Sequence, residues 1–357
     1  MGITGSRNTA VKAVITSALL LAILPGLSAA SAESPWSNAS PPPATSEAEI
    51  PAVPGELHVT AAGDYSSSKA AAAVLSRIGT IKPDLHVALG DLSYGADGAE
   101  KSWCDFVTAR TGKELPFELV AGNHESNGQN GHIDDFAACL PNRLPGVVGT
   151  YGRQYYVDVP QQNPVARFVF VSPGIPFSNG NWDYSAGSPR YNWTADAIDG
   201  ARAASIPWVV ASMHTPCFTM GRYGCQAGED LTNLLLSKKV DLVLNGHEHL
   251  YQRSKQLSTG GNCPSMKASN YSEPCVKDKD NSLAKGAGTV FTTVGTGGAS
   301  IRNVNTADTE AAYFAAYSGL NANPSHGLIN LKFTTTSLTA EFVATDGTFA
   351  DKFRIGS

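Results

Sequence analysis

The chain has 357 residues, 42% of them apolar, with 26 Lys+Arg set against 31 Asp+Glu for a net charge of -5. That is enough apolar material for a sizeable core in one large domain or two modest ones. The basic residues are scattered rather than gathered on a stripe, which argues against a partner with a phosphate backbone and against a polybasic membrane surface.

In chain order, Arg7 and Lys12 precede an apolar run over 13–24, which is followed by Pro25-Gly26 and the small triplet Ala30-Ser31-Ala32. This pattern predicts a secretory signal peptide over residues 1–32, cut after Ala32. The apolar run falls well short of the roughly 20 residues a membrane-spanning helix needs. Removing 1–32 leaves 24 basic against 31 acidic residues, a net charge of -7 on a chain expected to be soluble and secreted. Residues 33–56, rich in Pro, Ser, Ala and Glu and including Pro41-Pro42-Pro43, show no periodicity and read as a linker. From residue 57 to 357 the pattern is that of one folded domain.

Within it, strands are predicted at 57–61, 85–89, 117–120, 167–171, 208–212, 241–244 and 289–294, and helices at 69–78, 191–204 and 231–238. The tail changes character, with 328–334, 338–344 and 348–355 reading as a meander rich in Thr, Phe and Val. This order fits an α/β sandwich with a mostly parallel sheet and an antiparallel terminal portion. Cys104, Cys139, Cys217, Cys225, Cys263 and Cys275 make an even number in a chain marked for export, which predicts three disulfides. Short separations favour Cys217–Cys225 and Cys263–Cys275, leaving Cys104 for Cys139.

Sheets of this kind bind ligands at the carboxyl ends of their strands, and five polar clusters stand there. They are Gly63-Asp64, Gly90-Asp91-Leu92-Ser93-Tyr94, Gly122-Asn123-His124-Glu125, Ser212-Met213-His214 and Gly246-His247-Glu248-His249. Singly, each reads as an ordinary turn pair or a surface histidine. Together, oxygen and imidazole donors at five strand ends point to a cation.

These clusters, AAGDYS, GDLSY, GNHE, SMH and GHEH, resemble in order and spacing the motifs of the calcineurin-like metallophosphoesterase superfamily. Tyr94 makes the purple acid phosphatase branch the nearest likeness. The resemblance implies a four-layer α/β/β/α sandwich with mixed sheets and an antiparallel C-terminal meander, its catalytic domain spanning 57–357. It further implies two metal ions, one on Asp64, Asp91, Tyr94 and His249, the other on Asp91, Asn123, His214 and His247, with Asp91 bridging. A phenolate and two carboxylates suit Fe(III) in the first position. The second suits Zn, Fe or Mn. The implied reaction is hydrolysis of small-molecule phosphomonoesters by in-line attack of a metal-held hydroxide, with His124 as leaving-group acid and Glu125 or a nearby acid orienting it. A phosphodiesterase acting on nucleotides or lipid head groups would use the same residues, and a non-catalytic exported metal-binding protein would keep the fold alone.

Plant members of the branch carry further histidines after the lone one. Here TPCFTMGRYGCQAGED follows His214 and has none, which makes Arg222 and Tyr223, and His132 in the loop after GNHE, the candidates for contacts with substrate. His58 and His86 lie inside apolar strands and read as core or sheet-face residues, and Gly295-Thr296-Gly297-Gly298 as a turn beside the metals.

Overall fold

The computed structural model describes residues 56–140 and 144–357. The leader over 1–32 and nearly all of the linker lie outside the described residues. The continuous apolar runs form strands buried on both faces: every residue of Leu85–Ala88, Trp208–Met213 and Leu242–Asn245 is buried, as parallel strands covered on two sides require. The terminal meander behaves differently. In Ser337–Ala344 only Leu338, Ala340 and Phe342 are buried, so one face meets the core and the other meets water.

The strands divide between two mixed sheets with helices outside, the layered arrangement that the resemblance implies and that strand periodicity alone does not specify. A seven-stranded sheet runs Ser282–Ala284, Lys352–Gly356, Ser337–Ala344, Gly327–Phe333, Leu57–Ala62, Leu85–Ala88, Phe117–Leu119. An eight-stranded sheet runs Phe314–Ser318, Tyr251–Ser254, Val290–Val294, Leu242–Asn245, Trp208–Met213, Ala166–Phe170, Gln154–Val159, Val148–Thr150. Each has a parallel centre. The first centre is Leu57–Ala62 with Leu85–Ala88 and Phe117–Leu119, and the second is Val290–Val294 with Leu242–Asn245, Trp208–Met213 and Ala166–Phe170. In the first sheet the parallel run ends at the edge strand Phe117–Leu119, Gly327–Phe333 pairs the meander antiparallel onto Leu57–Ala62, and the far edge Ser282–Ala284 pairs parallel with Lys352–Gly356. Antiparallel strands finish both ends of the second.

The sheets face one another through aromatic side chains. Phe333 meets Phe168 and Trp208 at centroid distances of 6.1 and 6.2 Å, and Tyr251 meets Phe342 at 4.8 Å. Burying each such large apolar side chain contributes about 1.5–3 kcal/mol.

Helices cover the outer faces. Lys69–Ile81 starts at Ser68, whose hydroxyl accepts from Ala71 N at 3.0 Å, and it buries Ala71, Val74, Leu75 and Ile78. Pro189–Ala203 starts at Ser188 with proline in its first turn and buries Thr194, Ala197, Ile198 and Ala201. Glu100–Thr111, which the apolar pattern does not announce, buries Trp103, Cys104 and Val107 on one side of a largely polar segment. The three disulfides pair Cys104 with Cys139, Cys217 with Cys225 and Cys263 with Cys275. Among the described residues no helix is long and apolar enough to cross a membrane.

Candidate metal centre

The parallel centres of both sheets point their carboxyl ends at one seam. Asp64 and Asp91 follow Leu57–Ala62 and Leu85–Ala88, Asn123 follows Phe117–Leu119, and His214 and His247 follow Trp208–Met213 and Leu242–Asn245. Backbone hydrogen bonds hold the ends together: Gly63 N donates to Val294 O at 2.9 Å, Gly246 N to His214 O at 2.9 Å, and His247 N to Asp64 Oδ2 at 2.8 Å. The turns are tight. Asp64, Asp91, Tyr94 and His247 all have left-handed backbones, with φ of 61°, 51°, 52° and 68°, an uncommon conformation outside glycine that persists only where the surroundings impose it. At Gly246 a side chain would not fit, since a Cβ would lie 2.6 Å from Leu89 O and 2.9 Å from Asp64 Oδ2.

Two groups of donors result, and Asp91 belongs to both. In the first, Tyr94 Oη lies 2.9 Å from Asp91 Oδ2, 3.3 Å from Asp64 Oδ1 and 3.0 Å from His249 Nε2. In the second, His214 Nε2 lies 3.2 Å from Asp91 Oδ1, 3.2 Å from Asn123 Oδ1 and 3.1 Å from His247 Nδ1. The ligating atoms of Asp64, Asp91 and His249, and of Asp91, His214 and His247, fall within 4.8 Å of one another. One sheet supplies the oxygen donors and the other supplies the imidazoles.

Hydrogen-bond accounting shows what these groups want. His249 Nδ1 faces the carbonyl of Ser300 at 3.0 Å and His214 Nδ1 faces that of Leu89 at 2.7 Å. A carbonyl only accepts, so the proton of each neutral ring is assigned to Nδ1 and the Nε2 lone pair turns inward. A histidine held this way by a backbone carbonyl is the common arrangement of a metal ligand. Carboxylate, amide and imidazole lone pairs thus converge with few protons between them, and a buried gathering of acceptors calls for positive charge.

The acid–base properties show the same need for positive charge, with a proton on His214 Nε2 meeting it when no ion is there. Burial disfavours a charged His214, yet Asp91 outweighs it and raises the imidazole to about 9. Burial, aided by the charge on His214, lowers His247 to about 3. Tyr94 is pushed well above its ordinary range by burial and by Asp64 and Asp91, so its phenolate requires a cation beside it. The donor set fits two metal ions.

Around these groups the other candidates fall unevenly. His124 stands at the edge, its ring 4.4 Å from that of Tyr94 and its Nε2 3.7 Å from Asp91 Oδ2. Glu125 does not orient it. The Glu125 carboxylate is fully buried and accepts from the backbone N–H groups of Asp91, Leu92 and Gly122, fixing the turn beneath Asp91. Asn130 takes the orienting part, its Oδ1 against His124 Nδ1 and its amide donating to Gly95 O at 2.7 Å. Tyr223 is brought in, its ring stacked on that of His247 at 4.3 Å. Arg222 lies over the Tyr223 ring at 5.6 Å. Both are held by Glu248, which accepts from Arg222 N at 2.9 Å and from Tyr223 N at 2.6 Å. His132 is not brought to the donors: half-exposed, it caps Ile133–Cys139 and faces Asp97.

Two groups were missed by sequence reasoning. Asn130 sits in a glycine-rich loop where asparagine is an ordinary turn residue. Arg302 follows the Gly295–Gly298 turn, whose Gly297 N donates to Gly63 O at 2.9 Å, and reaches the site from there. Neither lies in a periodic segment. His86 is a core residue as expected, fully buried between Thr60 Oγ1 at 2.8 Å and Tyr65 Oη at 2.6 Å.

A model of the calcineurin-like phosphoesterase family matches residues 55–251, which includes all the donors above. The chain is 24% identical over 220 residues to purple acid phosphatase 18 of Arabidopsis thaliana, covering 59% of this chain and 48% of that protein. It is 25% identical over 187 residues to the Fe(3+)-Zn(2+) purple acid phosphatase 12 of the same plant, covering 48% and 37%. The match thus spans about half or less of these relatives' length. The structure of a purple acid phosphatase from yellow lupin (Lupinus luteus) seeds shares the fold, with a TM-score of 0.58 and 20% identity over 84% of this chain and 54% of that one.

Proposed function

The chain belongs to the calcineurin-like phosphoesterase family, and from that membership we propose that it is an exported hydrolase of phosphomonoesters working with two metal ions. One observation carries this reading: two converging donor groups share Asp91, one carboxylate oxygen facing each. Asp64, Asp91, Tyr94 and His249 would hold the first ion, and Asp91, Asn123, His214 and His247 the second. A phenol and two carboxylates favour Fe(III) in the first position, while two imidazoles and an amide oxygen favour a divalent Zn, Fe or Mn in the second. A related protein named for an Fe(3+)-Zn(2+) pair supports this division. Three disulfides support an oxidising, extracytoplasmic location, in keeping with the leader read over residues 1–32.

When bound, the ions supply Lewis acidity to the phosphoryl group and acidify a water for in-line attack. The protein's own residues do the remainder. Asp91 fixes the spacing of the two positions, and the carbonyls of Leu89 and Ser300 hold His214 and His249 in their ligating orientation. His124, its Nδ1 fixed by Asn130, presents Nε2 at the edge of the site as proton donor to the departing oxygen. Tyr223 shields His247 from water.

Metal analysis with a visible spectrum, beside rates on a monoester and a bis-ester, tests the reading. Two metals per chain, a phenolate-to-iron absorption that Tyr94→Phe abolishes, and faster monoester cleavage are expected. A colourless, iron-free, active protein would remove iron from the first position, and faster bis-ester cleavage would make the protein a phosphodiesterase.

A further inference from the structure

Resting on the phosphoesterase reading above, we propose that Arg302 is a phosphoryl-binding side chain of this site. The stretch that directly follows His214 carries no histidine to hold the anion, and Arg302 stands in a position to do so from a different part of the chain. Its backbone N–H donates to the carbonyl of His249 at 2.8 Å, and its own carbonyl accepts from Leu320 N at 2.8 Å. The residue is therefore anchored on both sides, one anchor being a candidate metal ligand. Its guanidinium lies 5.5 Å from the ring of Tyr223, the same ring that stacks on His247. Arg302 also lines a cavity of about 410 Å³ together with Tyr94 and His249 of the first donor group. It thus stands beside the first donor group and, through the Tyr223 ring, near His247 of the second.

The guanidinium itself is incompletely partnered. Its Nη1 is buried without a hydrogen-bond partner. Among the described residues no carboxylate forms an ion pair with it, whereas Arg153, Arg167 and Arg253 each have one. A guanidinium brings five N–H donors that cannot be discharged by losing a proton. Leaving such a charge unpaired in a partly buried place is costly unless a ligand completes it. The ligand that satisfies a planar fork of donors beside two cations is a tetrahedral oxyanion, which accepts two parallel N–H bonds. Arg222, 5.6 Å from the same ring, is exposed to water instead.

The test compares metal-loaded wild type with Arg302→Ala, Arg302→Gln and Arg302→Lys, using Arg77→Ala, an exposed helix residue, as control for loss of one positive charge. Orthophosphate binding is measured by calorimetry, alongside metal content, melting temperature, KM and kcat for p-nitrophenyl phosphate. The expected result is that Arg302→Ala and Arg302→Gln weaken orthophosphate and raise KM by about tenfold or more, as loss of a charge-assisted hydrogen bond should. Metal content and kcat should change far less, Arg302→Lys should fall between, and Arg77→Ala should match wild type. Orthophosphate binding equal to wild type in a folded, fully metallated Arg302→Ala overturns the proposal, and Arg302→Gln decides it if the alanine variant does not fold. A wild type that binds orthophosphate but cleaves no ester defeats the hydrolase reading instead, and the Arg302 comparison is then read from binding alone.

Discussion

A proton must reach the departing oxygen of an alkyl phosphate, whereas p-nitrophenolate leaves without one, and this difference isolates His124. His124→Ala is expected to lower kcat on an alkyl phosphate by about 10²–10⁴, the usual worth of a positioned acid, and to cost much less on p-nitrophenyl phosphate. Asn130→Ala should move the same pair of rates in the same direction by a smaller factor. Equal losses on both substrates would show that His124 acts only by supporting Tyr94 and Asp91. His86 makes a separate statement about pH. Burial holds it neutral, its pKa lowered to about 3 against an ordinary 6.5. The unfolded chain therefore takes up this proton as pH falls below 6.5, and the folded chain does not until near 3. Stability present above pH 6.5 is lost through that window, by up to about 1.4 kcal/mol per pH unit. Urea unfolding at pH 7 and pH 5 should show a fall that is smaller in His86→Gln by roughly 2 kcal/mol. At this scale the candidate ligands were legible in the sequence because each follows an apolar strand with a short polar cluster. Asn130 and Arg302 were not, because their position depends on loops that carry no periodicity.

Among the elements, the parallel strands were readable because burial on both faces demands unbroken apolar runs, and this is why 85–89 and 208–212 lie so close to the observed strands. The strand next to the edge of the eight-stranded sheet was hidden for the opposite reason. Tyr251–Ser254 is YQRS, yet all four residues are buried, because Arg253 is neutralised where it lies. Its Nε and Nη2 donate to Asp351 at 2.7 and 2.9 Å, and Tyr251 Oη donates to the same carboxylate at 2.7 Å. Asp351 stands just before Lys352–Gly356 in the other sheet, so this pair fastens the two sheets at a point remote in sequence. Strand 348–355 was expected to begin earlier than it does, and the requirement that Asp351 turn toward Arg253 explains the later start. Asp351→Asn leaves that guanidinium buried without its counter-charge, and a loss of about 3–5 kcal/mol is expected in chemical denaturation. Arg253→Met with Asp351→Leu should recover much of it.

For the molecule as a whole, the two mixed sheets were legible through the ordered motifs and not through periodicity, which reports how a strand is buried and not which sheet it joins. The division into two sheets follows from antiparallel pairings such as Leu57–Ala62 with Gly327–Phe333, whose partners stand some 270 residues apart in the chain. Metal ions held at the seam between the sheets would bind the folded chain and not the unfolded one. Saturation at a thousandfold excess over Kd adds about 4 kcal/mol to stability, so a strong chelator should lower the melting temperature by several degrees and restoring metal should reverse it. An unchanged melting temperature on complete removal would mean that the donors do not hold ions between the sheets. The separation of donors by chemistry has a further consequence. The oxygen-bearing half alone would attract hard ions, and the imidazole-bearing half alone would compete for softer ones. Neither preference is the one the finished seam expresses. Discrimination among metals would therefore be acquired only when the sheets dock and bring the two donor sets together.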